Sequence, residues 1–251
     1  MKELTIITTD INNVLFDKDG TLLKLDKMWA DWVWNIEKYL IANKWSKENE
    51  LAKFIKMIGL EEEKVVPDSP LSVASESEMK IIFAYHIYLN NVDWLGSVEA
   101  VDNAINYANS KMAHDDNIEL MEGAYEFLKG LHYSGKKIGV ITADTKANAQ
   151  RHFNKVGILK WIDFIIGSDC VERSKPFPDM LDIAEEKYDV KMKDTIFFGD
   201  SKVDVRMAEL KCLNKIVGVN NSELKADFHI ENFENIYIEK GNDNKDANKN
   251  S

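Results

Sequence analysis

Asp17 and Asp19 stand one residue apart at the end of the apolar run Val14 to Phe16, with Gly20 and Thr21 directly after. Such a run reads as a short buried strand, and along a pleated strand the side chains at i and i+2 point the same way. Two carboxylates crowded onto one side repel unless a cation lies between them. A hard dication such as Mg²⁺ takes carboxylate and carbonyl oxygens and keeps several waters. Gly20 allows a tight turn that a side chain would obstruct. Taken without its surroundings, the stretch is also an ordinary solvated Asp-Gly turn after an edge strand.

Three further strand exits carry chemistry, and in an open parallel sheet ligands bind beyond such exits. Thr142 follows Ile138 to Ile141, Lys175 precedes Pro176-Phe177-Pro178, and Asp200 follows Ile196 to Gly199 with Ser201 and Asp204 behind it. Singly these are bland. A strand-end Thr is a turn or cap residue, a Lys before Pro is a loop charge, and Asp200 with Asp204 is a helix cap with a first-turn acid. In order, they make a phosphoryl-transfer set. Asp17 would attack phosphorus as a carboxylate nucleophile, and Asp19 would protonate the leaving alkoxide and later deprotonate water. Thr142 would donate to the transferring group, Asp200 would complete the Mg²⁺ shell with Asp17, and Mg²⁺ with Lys175 would neutralise the phosphoryl oxygens.

These exits need a sheet to hold them. Strand patterns at Lys137–Thr142, Phe164–Gly167, Thr195–Gly199 and Lys215–Val219 alternate with helical patterns at 122–131, 145–156, 178–188 and 203–211. That alternation implies an α/β fold, a Rossmann-like parallel sheet with helices on both faces. Ile236 to Ile238 reads as an edge strand, and Leu4 to Ile7 as an apolar stretch of unassigned pairing. Between the first strand and the rest, Trp29, Trp32, Val33, Ile36, Tyr39 and Leu40 fall on one helical face, and helical patterns continue to about residue 111. The expected organisation is a discontinuous core, 1–22 and 115–240, interrupted by an all-α domain over 23–114. A polar tail over 241–251 is expected to be disordered.

The four segments Asp17-Lys18-Asp19-Gly20-Thr21, Thr142, Lys175-Pro176-Phe177-Pro178 and Gly199-Asp200-Ser201 with Asp204 resemble the four motifs of haloacid dehalogenase superfamily phosphatases. The helical insertion resembles that family's cap, which closes over the site and selects the substrate. The resemblance implies Mg²⁺ held by Asp17, Asp200 and the backbone carbonyl of Asp19, and phosphate held by Thr142 and Lys175. Ala143 and Ser69 are further candidates to touch substrate, and Asp204, Ser201, Gly20 and Thr21 to support the metal and nucleophile. Phe16 to Leu22, the nearby Trp29 and Asp68-Ser69-Pro70 are similar to the phosphoglycolate phosphatase branch. One departure stands out: Ala143 occupies a position where Asn is common, so a side-chain bond orienting Asp17 is lost.

The expected activity is hydrolysis of small phosphorylated metabolites, of the phosphoglycolate or sugar phosphate type. Two alternatives remain open, a phosphomutase of the β-phosphoglucomutase type and a catalytically silent binding protein of the same fold. Across 251 residues, 45% hydrophobic, the formal net charge is −11. That charge argues against a nucleic-acid or anionic-membrane binder. Cys170 and Cys212 lack metal-ligand spacing. No Gly-rich dinucleotide fingerprint occurs, and neither a signal-peptide core nor a membrane-length apolar run is read. A cytoplasmic monomer or homodimer is expected.

Overall fold

A run of consecutive apolar residues in a strand must be covered on both faces, and Val14, Leu15 and Phe16 are completely buried. In the computed structural model, which describes residues 4–7, 9–24, 26–112 and 118–238, this strand, β2 (Asn13–Phe16), lies inside a six-stranded parallel sheet. The chain runs β1 (Leu4–Ile7), β2, α1 (Asp26–Ala42), α2 (Glu48–Met57), β3 (Leu60–Glu61), β4 (Lys64–Val65), α3 (Pro70–Val73), α4 (Glu76–Leu89) and α5 (Trp94–Met112). It continues α6 (Ala124–Tyr133), β5 (Lys137–Ile141), α7 (Lys146–Lys155), β6 (Phe164–Ile166), α8 (Asp179–Tyr188), β7 (Thr195–Gly199), α9 (Lys202–Leu210), β8 (Lys215–Val219), β9 (Phe228–Ile230) and β10 (Ile236–Ile238). Among the described residues no helix is long and apolar enough to cross a membrane.

The sheet order is β6-β5-β2-β7-β8-β9. β2 pairs with β5 on one side and β7 on the other, Phe16 standing level with both Val140 and Phe198. The chain thus reverses its direction of winding at β2, and the crevice of such a reversal opens at the carboxyl ends of the strands. Alternation along each strand sends neighbours to opposite faces. Val14, Phe16, Ile138, Val140, Ile196 and Phe198 pack with Phe127 and Leu128 of α6 and Phe153 of α7. Leu15, Ile141 and Phe197 pack with Met180 and Leu181 of α8 and Met207 of α9 on the other face.

Two expectations at the margins change. Ile236 to Ile238 does not join this sheet but pairs in parallel with β1 in a separate two-stranded sheet, which also settles the pairing of Leu4 to Ile7. The sheet edge is instead β9, a three-residue strand flanked by Asp227 and Glu231 and too short to show a period.

Residues 26–112 bury their own hydrophobic cluster. Trp32, Val33, Ile36 and Leu40 of α1 meet Phe83 and Ile87 of α4 and Val101, Ala104, Ile105 and Ala108 of α5. Between connecting loops the segment is helical, but the expected all-α character is broken by the short antiparallel pair β3–β4, with left-handed Glu62 in the connection. Two residues per strand are too few for an alternating pattern, so nothing in the sequence distinguishes them from loop. The two crossings into the core run side by side: Lys24 N–H donates to Glu119 O at 2.9 Å and Met121 N–H to Leu22 O at 2.9 Å. Lys24 also pairs with Glu122 at 2.7 Å. Residues 113–117, which span the expected boundary after 114, and the expected disordered tail, 241–251, lie outside the described residues.

Candidate active site

Beyond the carboxyl ends of β2, β5 and β7 lies a cavity of about 30 Å³. Asp17, Asp19, Thr142, Ala143, Lys175, Asp200, Ser201 and Asp204 all line it. The side that closes it comes from the insertion: Trp29 of α1, Leu71 to Ala74 in and after α3, and Glu76 of α4. A groove of about 1100 Å³ between insertion and core shares Ser72 and Asp200 with the cavity. Asp68 in the insertion meets the start of α9, 2.8 Å from Lys202 Nζ.

Lys175 sits between two carboxylates, Nζ at 2.5 Å from Asp17 Oδ1 and 2.6 Å from Asp204 Oδ1. Although burial disfavours its charge, the two acids hold the ammonium above its ordinary range. Burial pushes Asp17 up to about 7, opposed by Lys175 and reinforced by Asp204 and Asp19. Burial, with Asp17 and Asp204 adding, raises Asp200 as well. One oxygen from each of Asp17, Asp200 and Asp204 falls within 4.8 Å of the others. An all-oxygen donor set in which two members resist ionisation is what a hard cation stabilises. Asp204 is already engaged: besides Lys175, it accepts from Ser201 N–H at 3.2 Å and from the Ser201 hydroxyl at 2.5 Å. Ser201, not Asp200, caps α9, and Asp204 completes the capping box.

Gly20 has a left-handed φ of +82°, and a Cβ there would overlap the Asp200 carboxylate. Thr21, fully buried, donates its hydroxyl to Asp200 Oδ1 at 3.4 Å. Thr142 Oγ1 accepts from Asp144 N–H at 3.1 Å, which leaves the hydroxyl proton to donate elsewhere. Ser69 does not line the cavity. Its hydroxyl lies against Gly59, because α3 starts at Pro70 and turns Ser72 to Ala74 toward the core instead.

The sequence reading missed a second buried charge cluster. Lys18 is completely buried, with Nζ 2.6 Å from Asp19 Oδ1, 3.0 Å from Asp144 Oδ2 and 3.3 Å from His152 Nδ1. Burial and the Lys18 ammonium push His152 down to about 3, so the ring accepts as neutral imidazole. Burial raises Asp19, with Lys18 opposing. Asp144 is also buried, yet the Lys18 ammonium, with a hydrogen bond from Asn148 at 2.9 Å, holds it below its ordinary value. A Lys directly after the first acid was the available signal, since a residue between two same-facing strand positions points to the other side, here into the core. The polar group absent at Ala143 is present one residue later in Asp144, but it serves Lys18 rather than Asp17. His86 lies in the insertion, stacked on Phe54 with ring centroids 4.3 Å apart.

Known proteins resemble this chain along most of its length. The sequence profile of the haloacid dehalogenase-like hydrolases matches residues 11–210. Pyrophosphatase PpaX of Halalkalibacterium halodurans is 27% identical over 197 residues, 78% of each chain. The crystal structure of a predicted phosphoglycolate phosphatase from Haemophilus somnus superposes with a TM-score of 0.69 at 17% identity, covering 90% of this chain and 96% of that one. β-Phosphoglucomutase from Clostridium difficile gives 0.62 at 18% identity, covering 89% and 92%.

Proposed function

The chain belongs to the haloacid dehalogenase-like hydrolases, and from that premise we propose that it is a phosphatase for small phosphorylated metabolites, of the phosphoglycolate or sugar phosphate type, working through an aspartyl-phosphate, an acyl phosphate, on Asp17. The observation that carries this reading is the meeting of Asp17, Asp200 and Lys175, far apart in sequence, at one cavity that also receives Asp19 and Thr142.

An Asp17 carboxylate oxygen attacks phosphorus in line as the bond from phosphorus to the leaving oxygen breaks. Asp19 hands its proton to that oxygen, and its raised proton affinity suits a general acid. The carboxylate so formed then takes a proton from water, whose oxygen attacks phosphorus and releases phosphate from Asp17. Lys175, the Thr142 hydroxyl and the Ala143 N–H hold the phosphoryl oxygens. Asp17, Asp200 and the Asp19 carbonyl would hold Mg²⁺, which when bound neutralises charge on the transferring group. Residues 26–112 act as the cap, closing water out of the site.

Chelation is expected to abolish phosphate release from a panel of monophosphates, and added Mg²⁺ to restore it. Full turnover in chelator would sink the metal assignment. A pH signature follows from Asp17. Because its folded-state value is raised to about 7, the stability it contributes in metal-free protein is complete below the ordinary carboxylate range and is lost as pH rises through about 7. Mg²⁺ binds the ionised form, so its affinity rises over the same window. The Mg²⁺-induced rise in melting temperature should therefore be larger at about pH 8 than at about pH 5. An equal rise at both, persisting in Asp17→Asn, would overturn the role of Asp17 as ligand.

A further inference from the structure

Resting on the phosphatase reading, we propose that Trp29 and Glu76 form the leaving-group site and select monophosphate esters of uncharged polyhydroxy alcohols, sugars or short polyols, over esters whose leaving group carries charge. Both residues belong to the insertion and both line the cavity. The Trp29 indole N–H is buried and finds no acceptor among the described residues. Glu76 Oε2 accepts from Asn109 Nδ2 at 3.1 Å, and Asn109 is itself oriented by Trp32 Nε1, which donates to Asn109 Oδ1 at 2.9 Å. The second Glu76 oxygen takes no hydrogen bond from the described residues. One wall therefore presents an open donor and an open acceptor, with the acceptor held in place.

A buried polar atom without a partner is costly, so the Trp29 N–H marks the complement of what binds beside it, and the half-buried Glu76 carboxylate adds an acceptor of fixed position. A hydroxyl both donates and accepts and satisfies Glu76 and Trp29 together. A carboxylate or a second phosphate only accepts and meets Glu76 as a like charge. An ammonium only donates and leaves Trp29 unpaired. The cation balance agrees. Among the described residues Lys175 is the only Lys or Arg lining the cavity, and it is engaged by Asp17 and Asp204. Arg151 lines the adjoining cavity behind Glu76, where its guanidinium donates to Asn148 Oδ1 at 2.7 Å. The other lining residues from the insertion, Leu71, Ser72, Val73 and Ala74, are compact and uncharged, while Asp144 on the core side is already paired with Lys18.

The test compares kcat/KM of the full chain with Mg²⁺ on glycerol 3-phosphate, ribose 5-phosphate, phosphoglycolate, pyrophosphate, phosphoethanolamine and p-nitrophenyl phosphate. The polyol and sugar esters are expected to exceed the charged ones by about tenfold or more. Glu76→Gln keeps the shape and an acceptor for Asn109 but removes the charge, and should narrow that ratio by raising phosphoglycolate and pyrophosphate. Trp29→Phe should lower the polyol esters several-fold more than p-nitrophenyl phosphate, whose leaving group has no hydroxyl to read. Fastest turnover of phosphoglycolate, pyrophosphate or phosphoethanolamine would overturn the proposal while leaving the phosphatase reading standing. So would a ratio unmoved by Glu76→Gln, or a preference for anionic substrates that Arg151→Gln abolishes. Phosphate release from none of the panel, p-nitrophenyl phosphate included, would overturn both.

Discussion

Asp17→Asn is expected to cut phosphate release by about 10⁴-fold or more, the scale seen when a residue acting at the reacting atoms is lost. The amide has nearly the carboxylate's shape but no charge with which to attack phosphorus. The fold should survive. Lys175 keeps Asp204 at 2.6 Å, and neutralising position 17 removes one of the acids that raise Asp200. In the absence of metal the variant should therefore melt at or above the parent's temperature. The pairing of lost turnover with intact melting distinguishes a missing nucleophile from a damaged fold. Asp19→Asn offers the contrast, because loss of proton transfer alone costs about 10²–10⁴-fold. Turnover by Asp17→Asn within tenfold of the parent would remove the assignment.

Lys18→Met is expected to destabilise the protein by about 3–5 kcal/mol, because it strips the cation from a buried cluster and leaves carboxylates without compensation. Lys18 is completely buried, and its partners Asp19 and Asp144 are nearly so. Methionine fills much of the same volume, so the loss is electrostatic rather than a cavity. Activity should fall too, since Lys18 Nζ holds Asp19 at 2.6 Å. Adding Asp144→Asn to Lys18→Met removes one of the stranded charges and should recover about 0.5–3 kcal/mol relative to additivity. Chemical denaturation of the four proteins of this cycle measures both quantities. Additive losses, or a single-variant loss under about 1 kcal/mol, would show that Lys18 is a solvated charge rather than a structural one.

The contrast between these two residues shows what was legible along the chain. Asp17, Asp200 and Lys175 are readable because each follows an apolar run that can only be a buried strand, or sits in a proline-marked loop beside one. The type of residue at such an exit is conspicuous. Lys18 is equally important to the geometry, but its place between two acids says only that it faces the other way, and nothing in a one-dimensional pattern says that Asp144, 126 positions away, waits beneath it. Glu76 was hidden in the same way, as one acid among several at the start of an amphipathic helix. Ser69 was the opposite error: its proline-marked loop suggested a role, and the turn into α3 directs it to Gly59 instead.

Periodicity and strand exits were enough to establish an α/β sheet interrupted by a helical insertion, and to pick out which acids, hydroxyl and lysine stand at its carboxyl edge. Those properties are local, since hydrophobic period and chain direction are set within a few residues. Tertiary structure alone decided that β2 lies between β5 and β7, that Lys175 reaches both Asp17 and Asp204, and which insertion residues wall the cavity. Those are matters of packing between segments distant in sequence. Burial there fixes charges and unpartnered donors that would mean nothing in a solvated chain.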